Sequence, residues 1–215
     1  MKKISAFGLV VMILLSVTAC GAVEEEPEWS ESYAITGTEN TQMWDLKADG
    51  FLSSINSIIT DDSMKLEYLK EWNPTSSNCM LTKNGESWKI LLDVFSESEA
   101  NTSWMRKNTG AEEWVGNIES VELSLFAQDE LEAEENGLYV RYLISIFTPG
   151  AEKLVEDSIG LYGEPTPDAV VIEGVNRVTV GNVAYSYTSD GHFIVEPFVT
   201  DWEAESATPA AIRPE

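Results

Sequence analysis

Two glycine turns, each set between strand-like runs, constrain this chain more than any other feature. Lys83-Asn84-Gly85-Glu86 lies between Cys79-Met80-Leu81 and an apolar run over 88–95, and Ser189-Asp190-Gly191-His192 lies between runs at 183–187 and 193–195. Asn-Gly and Asp-Gly tolerate the left-handed backbone of two-residue hairpin loops, whose twist matches antiparallel strands. Consecutive hairpins exclude a sheet built by strict alternation of parallel strands and crossover helices. Further strands are expected at 64–72, 120–126, 138–147 and 170–180. An acidic loop over 129–137, ending in Asn136-Gly137, should join 120–126 to 138–147.

Helical spacing occurs twice. Phe51, Leu52, Ile55, Ile58 and Ile59 share one stripe of a helix over 45–59, weakened by Gly50. Thr148-Pro149 supplies a capping side chain and a first-turn proline, followed by Ala151, Leu154, Val155, Ile159 and Tyr162 before Gly163. The element order helix, strand, hairpin recurs, with Asn84-Gly85 matched to Asp190-Gly191 and a weak strand at 33–36 matched to 142–146. The expectation is an α+β fold, a mainly antiparallel sheet with two helices packed on one face, in two similar halves at 33–127 and 138–202.

The N-terminal residues set the compartment. Met1-Lys2-Lys3 precedes an apolar run from Ile4 to Leu15, shorter than the roughly 20 residues that cross a bilayer. Then comes Val17-Thr18-Ala19-Cys20-Gly21. Val17-Thr18-Ala19-Cys20 resembles the lipobox of bacterial lipoproteins, and the resemblance covers residues 1–21 only. It implies a signal peptide over 1–19, lipidation of Cys20, and a lipid anchor on the extracytoplasmic face of the cell membrane. An acidic linker over 20–32 would lead to the folded domain at 33–202, and 203–215 read as a solvated tail.

Charge narrows the partners. The formal net charge is −24, and removal of 1–19 takes away two lysines and no acid. Nucleic acid is excluded as a partner, because phosphate binding needs clustered Lys and Arg. Anionic lipid surfaces would repel the domain within a Debye length of about 8 Å, so the lipid anchor is the one membrane contact expected.

Little in the sequence carries chemistry. With Cys20 lipidated, Cys79 has no disulfide partner and reads as a small buried hydrophobe. The single histidine, His192, sits at a hairpin tip and reads as an exposed turn residue. One histidine and one free cysteine cannot make a zinc site, and the 129–137 acids lack the spacing of a calcium loop. No cofactor is expected. Of seven tryptophans, Trp88 alternates with Ile90 and Leu92 and should face the core. Trp104 and Trp114 flank Arg106 and Lys107, and these four residues are the best sequence candidate for a ligand surface, suited to an acidic group. Core packing is the plainer reading for the same tryptophans. The leading functional expectation is a non-catalytic binding module for an extracytoplasmic protein or small-molecule ligand. The alternatives are a carboxylate-dependent hydrolase of wall glycan or peptide, and an accessory structural subunit of an envelope complex.

Overall fold

The computed structural model describes residues 29–200 apart from 71–72, 74–75, 86, 103–104 and 106–109. The fold is α+β. In chain order it comprises β1 (Ile35–Thr38), β2 (Thr41–Trp44), α1 (Ala48–Ile58), β3 (Leu66–Tyr68), β4 (Asn78–Lys83), β5 (Trp88–Val94), α2 (Glu97–Ala100), α3 (Ala111–Trp114) and β6 (Ile118–Ser124). It continues with α4 (Glu130–Phe147), α5 (Glu152–Ile159), β7 (Val170–Ile172), β8 (Val175–Val180), β9 (Val183–Thr188) and β10 (His192–Pro197).

Strands β3 to β10 form one eight-stranded antiparallel sheet in the order β3-β4-β5-β6-β10-β9-β8-β7. Each half is therefore a four-stranded meander that follows helix, and the last strands, β6 and β10, pair at the centre. The recurrence is one of element order, and the two glycine turns are not equivalent within it. Asn84-Gly85 joins the second and third strands of the first meander, whereas Asp190-Gly191 joins the third and fourth of the second. In the first meander, that last connection is a long excursion carrying α2 and α3.

One face of the sheet is covered. Leu81, Ile90, Leu92, Val121, Leu123, Tyr185, Phe193 and Val195 are fully buried against Phe51, Ile55, Tyr139, Leu143 and Val155 of α1, α4 and α5. Alternation along the strands turns Asp93, Glu122 and Glu196 to the opposite face. Cys79 is buried in β4, and burial pushes its thiol up to about 12, so it behaves as a small apolar side chain.

Several expectations are corrected. The strand at 138–147 and the acidic loop at 129–137 are one helix, α4, of 18 residues. Tyr139, Val140, Leu143, Ile144 and Phe147 are buried at helical spacing, and Asp129 caps the start by accepting from the Glu132 amide at 2.9 Å. Asn136-Gly137 is no turn. Asn136 is buried and donates to the Phe126 carbonyl, and a β-carbon on Gly137 would stand 2.5 Å from the Tyr162 hydroxyl. The helix expected from Thr148 begins at Glu152, because the Thr148 amide still bonds Ile144 and ends α4. Gly160, in left-handed conformation, closes α5. The 170–180 run folds back at Glu173-Gly174, both at positive φ, into β7 and β8. Of the described residues in 64–72, Leu66–Tyr68 alone are strand. The first helix starts at Ala48 rather than at 45, and α4, α2 and α3 join the two helices expected. Ser30 and Ser32 donate to the Pro149 and Phe147 carbonyls, and Glu31 accepts from the Asn182 amide, so the chain is tied to the domain ahead of Tyr33.

Candidate functional site

Of the four residues expected to form a ligand surface, Trp104, Arg106 and Lys107 lie outside the described residues, as does Cys20. Trp114 is 4% exposed and packs edge-on against Phe95 at 5.9 Å, within a small second core that includes Met43, Ala100 and Ala111. It is a packing residue, not a surface anchor.

A different site forms where three remote segments meet, and a β-bulge creates it. Leu81 pairs with Ile90 but Thr82 pairs with Trp88, so Lys89 is an extra residue in β5. The bulge reverses the alternation, and Trp88 leaves the face of Ile90 and Leu92 to which its spacing assigned it. Its indole instead stacks on His192 at 6.5 Å, with 22° between the planes. Phe126 closes on the imidazole edge-to-face at 5.7 Å and 87°. His192 is thus held between two aromatic rings, with 21% of its side chain exposed, and is not the free turn residue expected. Its Nδ1, shielded from solvent, lies 2.7 Å from Glu122 Oε1 without the alignment of a hydrogen bond.

The opposite wall is the start of α4, tied to β4 and β5 by ion pairs. Lys83 meets Glu135 at 2.5 Å and Lys89 meets Glu132 at 3.1 Å. The Gln128 amide, with Lys89 second, holds the Glu132 carboxyl below its ordinary range. Between the walls runs an open groove of about 710 Å³, whose lining also includes the polar side chains of Ser124 and Gln128. Phe126 and Leu131 stand at its rim with 65% exposure each. Apolar rings, a carboxylate-backed imidazole and paired charges can hold a ligand that offers both an apolar face and hydrogen-bonding groups. No three His, Cys, Asp or Glu side chains among the described residues are placed to hold a metal ion, and no described helix is long and apolar enough to cross a membrane.

One carboxyl outside the groove is strongly perturbed. Glu119 sits at a second irregularity, between the Asp93–Ser120 and Val94–Ile118 pairs. Burial first, then the carboxylates of Glu99 and Asp93, push it up to about 7 from 4.5. In the window between those values the folded chain holds a proton that the unfolded chain has released, so this group's contribution to stability falls as pH rises through it. Glu119→Gln is expected to stabilise the fold by about 1–2 kcal/mol at pH 8 and to change little at pH 4.5, allowing for partial exposure. Urea unfolding at the two pH values checks it; an equal effect at both would exclude the perturbation.

No protein-family model, curated protein or solved structure matches this chain, and the groove is read from its own chemistry.

Proposed function

We propose that the chain is a lipid-anchored extracytoplasmic binding module, tethered through Cys20, that captures its ligand in the groove of Trp88, Phe126 and His192. The observation that carries this reading is the bulge at Lys89, which takes a tryptophan from the core side of the sheet and places it on a wet cleft with a histidine stacked behind it. Exposed apolar groups beside ordered polar ones characterise recognition surfaces.

Placement supports the same reading. Ser30 to Ser32 dock at the end of the sheet that holds the α4 C-terminus and the β8–β9 turn. The groove lies at the α4 N-terminus, about 27 Å away along the helix axis at 1.5 Å per residue. From Cys20 to Trp29 an extended chain reaches about 30 Å. A tether entering there joins the domain at the end remote from the groove and leaves the groove itself free for a ligand.

The test is thermal unfolding of the chain from Gly21 onward against sugars, amino acids, short peptides, wall fragments and calcium. A ligand at 100 times its Kd stabilises the fold by about 2.7 kcal/mol. One class is expected to raise Tm, and Trp88→Ala is expected to weaken its binding about ten- to thirtyfold by removing roughly 1.4–2 kcal/mol of ring contact. Undiminished binding by Trp88→Ala would place the ligand elsewhere.

A second reading, a carboxylate-dependent hydrolase, draws support from Glu119, whose near-neutral carboxyl beside Asp93 suits acid–base exchange. Its mark would be wall-hydrolysing activity lost in both Glu119→Gln and Asp93→Asn and kept in Trp88→Ala.

A further inference from the structure

The two outer edges of the sheet are finished differently. At the β3 edge the Asn56 side chain of α1 stands where another strand would pair. Its Oδ1 accepts from the Leu66 amide at 2.9 Å, and its Nδ2 donates to the Leu66 carbonyl at 2.8 Å. That edge is closed. At the other edge β7 pairs only with residues 175–177, while β8 runs on to Val180, so no described strand lies outside residues 178–180. The notch left there measures about 550 Å³ and is bounded by Asp168, Val170, Thr179 and Phe198, with Leu154 of α5 on the helix side. Val170, Val171 and Ile172 are 57%, 59% and 62% exposed. Aliphatic groups therefore stand in water on both faces of an edge strand, where folded proteins ordinarily place charge, proline or a bulge.

We propose that the β7 edge and its notch form a strand-addition site for a partner protein, taking an extended segment that alternates aliphatic and basic side chains. Main-chain bonds to the open edge would hold the segment, and the notch beside Leu154 would receive one of its aliphatic groups. Charge selects the occupant. Asp168 and Glu173 flank β7, both exposed and neither ion-paired among the described residues. Arg177, the cation bordering the notch, is already held by Glu196 at 3.0 Å and lies over the Phe198 ring at 5.0 Å. A second copy would bring another net charge of −24, and residues 201–215 carry four acids and a single arginine. Both have the wrong sign for this edge.

Amide hydrogen exchange of the full chain tests the proposal with two probes, a short alternating Lys–Val peptide and its Glu–Val counterpart. The Lys–Val peptide is expected to slow exchange within 170–172 about tenfold, with the Glu–Val peptide without effect. Reversing the flanking charges with Asp168→Lys and Glu173→Lys should invert that preference, and Asp168→Lys alone, away from the turn, should weaken it if the double variant folds poorly. Four results would overturn the proposal: no slowing by either peptide, slowing indifferent to the charge reversals, protection without peptide that falls on dilution, or protection without peptide that is lost on deleting 201–215. The third would assign the edge to a second copy, the fourth to the chain's own C-terminal segment.

Discussion

Phe147→Ala is expected to destabilise the domain by about 3–5 kcal/mol, a large part of the roughly 5–15 kcal/mol that holds an ordinary domain together. Phe147 is 1% exposed and stands where the N-terminal hairpin, α1 and α4 converge. Its ring stacks on Trp44 at 4.1 Å and meets Phe51 at 6.1 Å and Tyr33 at 6.0 Å. Removing it opens a cavity between rigid aromatic groups that cannot close without moving β2 or α1, so little of the loss is recovered by relaxation. Leu138→Ala, on the same helix but 38% exposed, should cost less than about 1 kcal/mol. Urea unfolding of both variants also tests the helix itself. Burial at 139, 140, 143, 144 and 147 is helical, and a strand over the same residues would make alternate positions costly instead. Comparable losses at Leu138 and Phe147 would overturn this packing.

The antiparallel sheet was legible because hairpin chemistry is local. Asn84-Gly85 and Asp190-Gly191 both stand in hairpin connections as expected, although the nearest strand pairs, Thr82–Trp88 and Tyr187–Phe193, leave loops longer than two residues and Asp190 is not left-handed. α4 was hidden by its own composition. Tyr142-Leu143-Ile144-Ser145-Ile146 has the aromatic and β-branched content of a strand, and Asn136-Gly137 imitates a turn. What decides for helix is the Asp129 cap at its start and the burial of Tyr139, Val140, Leu143, Ile144 and Phe147 on one face against α1 and the sheet.

The groove was illegible for a related reason. Its walls come from β5, β6, α4 and β10, and proximity of segments this remote is a property of the sheet order and not of any window of sequence. Trp88 is the sharpest case, since spacing alone assigned it to the core. One inserted residue opposite Leu81 reverses that, and nothing in Ser87-Trp88-Lys89 announces a bulge. The demotion of His192 to a solvent-exposed tip failed on the same ground, because the rings that enclose it lie 66 and 104 positions earlier in the chain, at Phe126 and Trp88. Trp104 and Trp114 attracted notice through a local basic pair, while Trp114 was committed to packing on Phe95.

Cys20→Ala is expected to abolish fatty-acid labelling and to move the protein from the membrane fraction into solution. Lipobox processing places the acyl chains and the new N-terminus on the same cysteine, so a residue without a thiol removes the whole anchor rather than part of it. The effect should be complete, since burial of each CH₂ contributes about 0.8 kcal/mol, one chain alone holds a protein only marginally, and two make retention stable. No compensating surface attraction is at hand, because a chain of net charge −24 is repelled by anionic headgroups. Labelling and fractionation together test the lipobox reading of the first residues against an uncleaved anchor helix. Persistent labelling would sink the lipobox reading, and lost labelling with continued membrane retention would mean that the apolar run over 4–15 stays in place as an anchor helix. Loss of both would fix the tether at Cys20, ten residues ahead of Ser30, whose amide is bonded to the α4–α5 corner. The groove lies at the other end of α4, so the point of attachment and the groove stand at opposite ends of that helix.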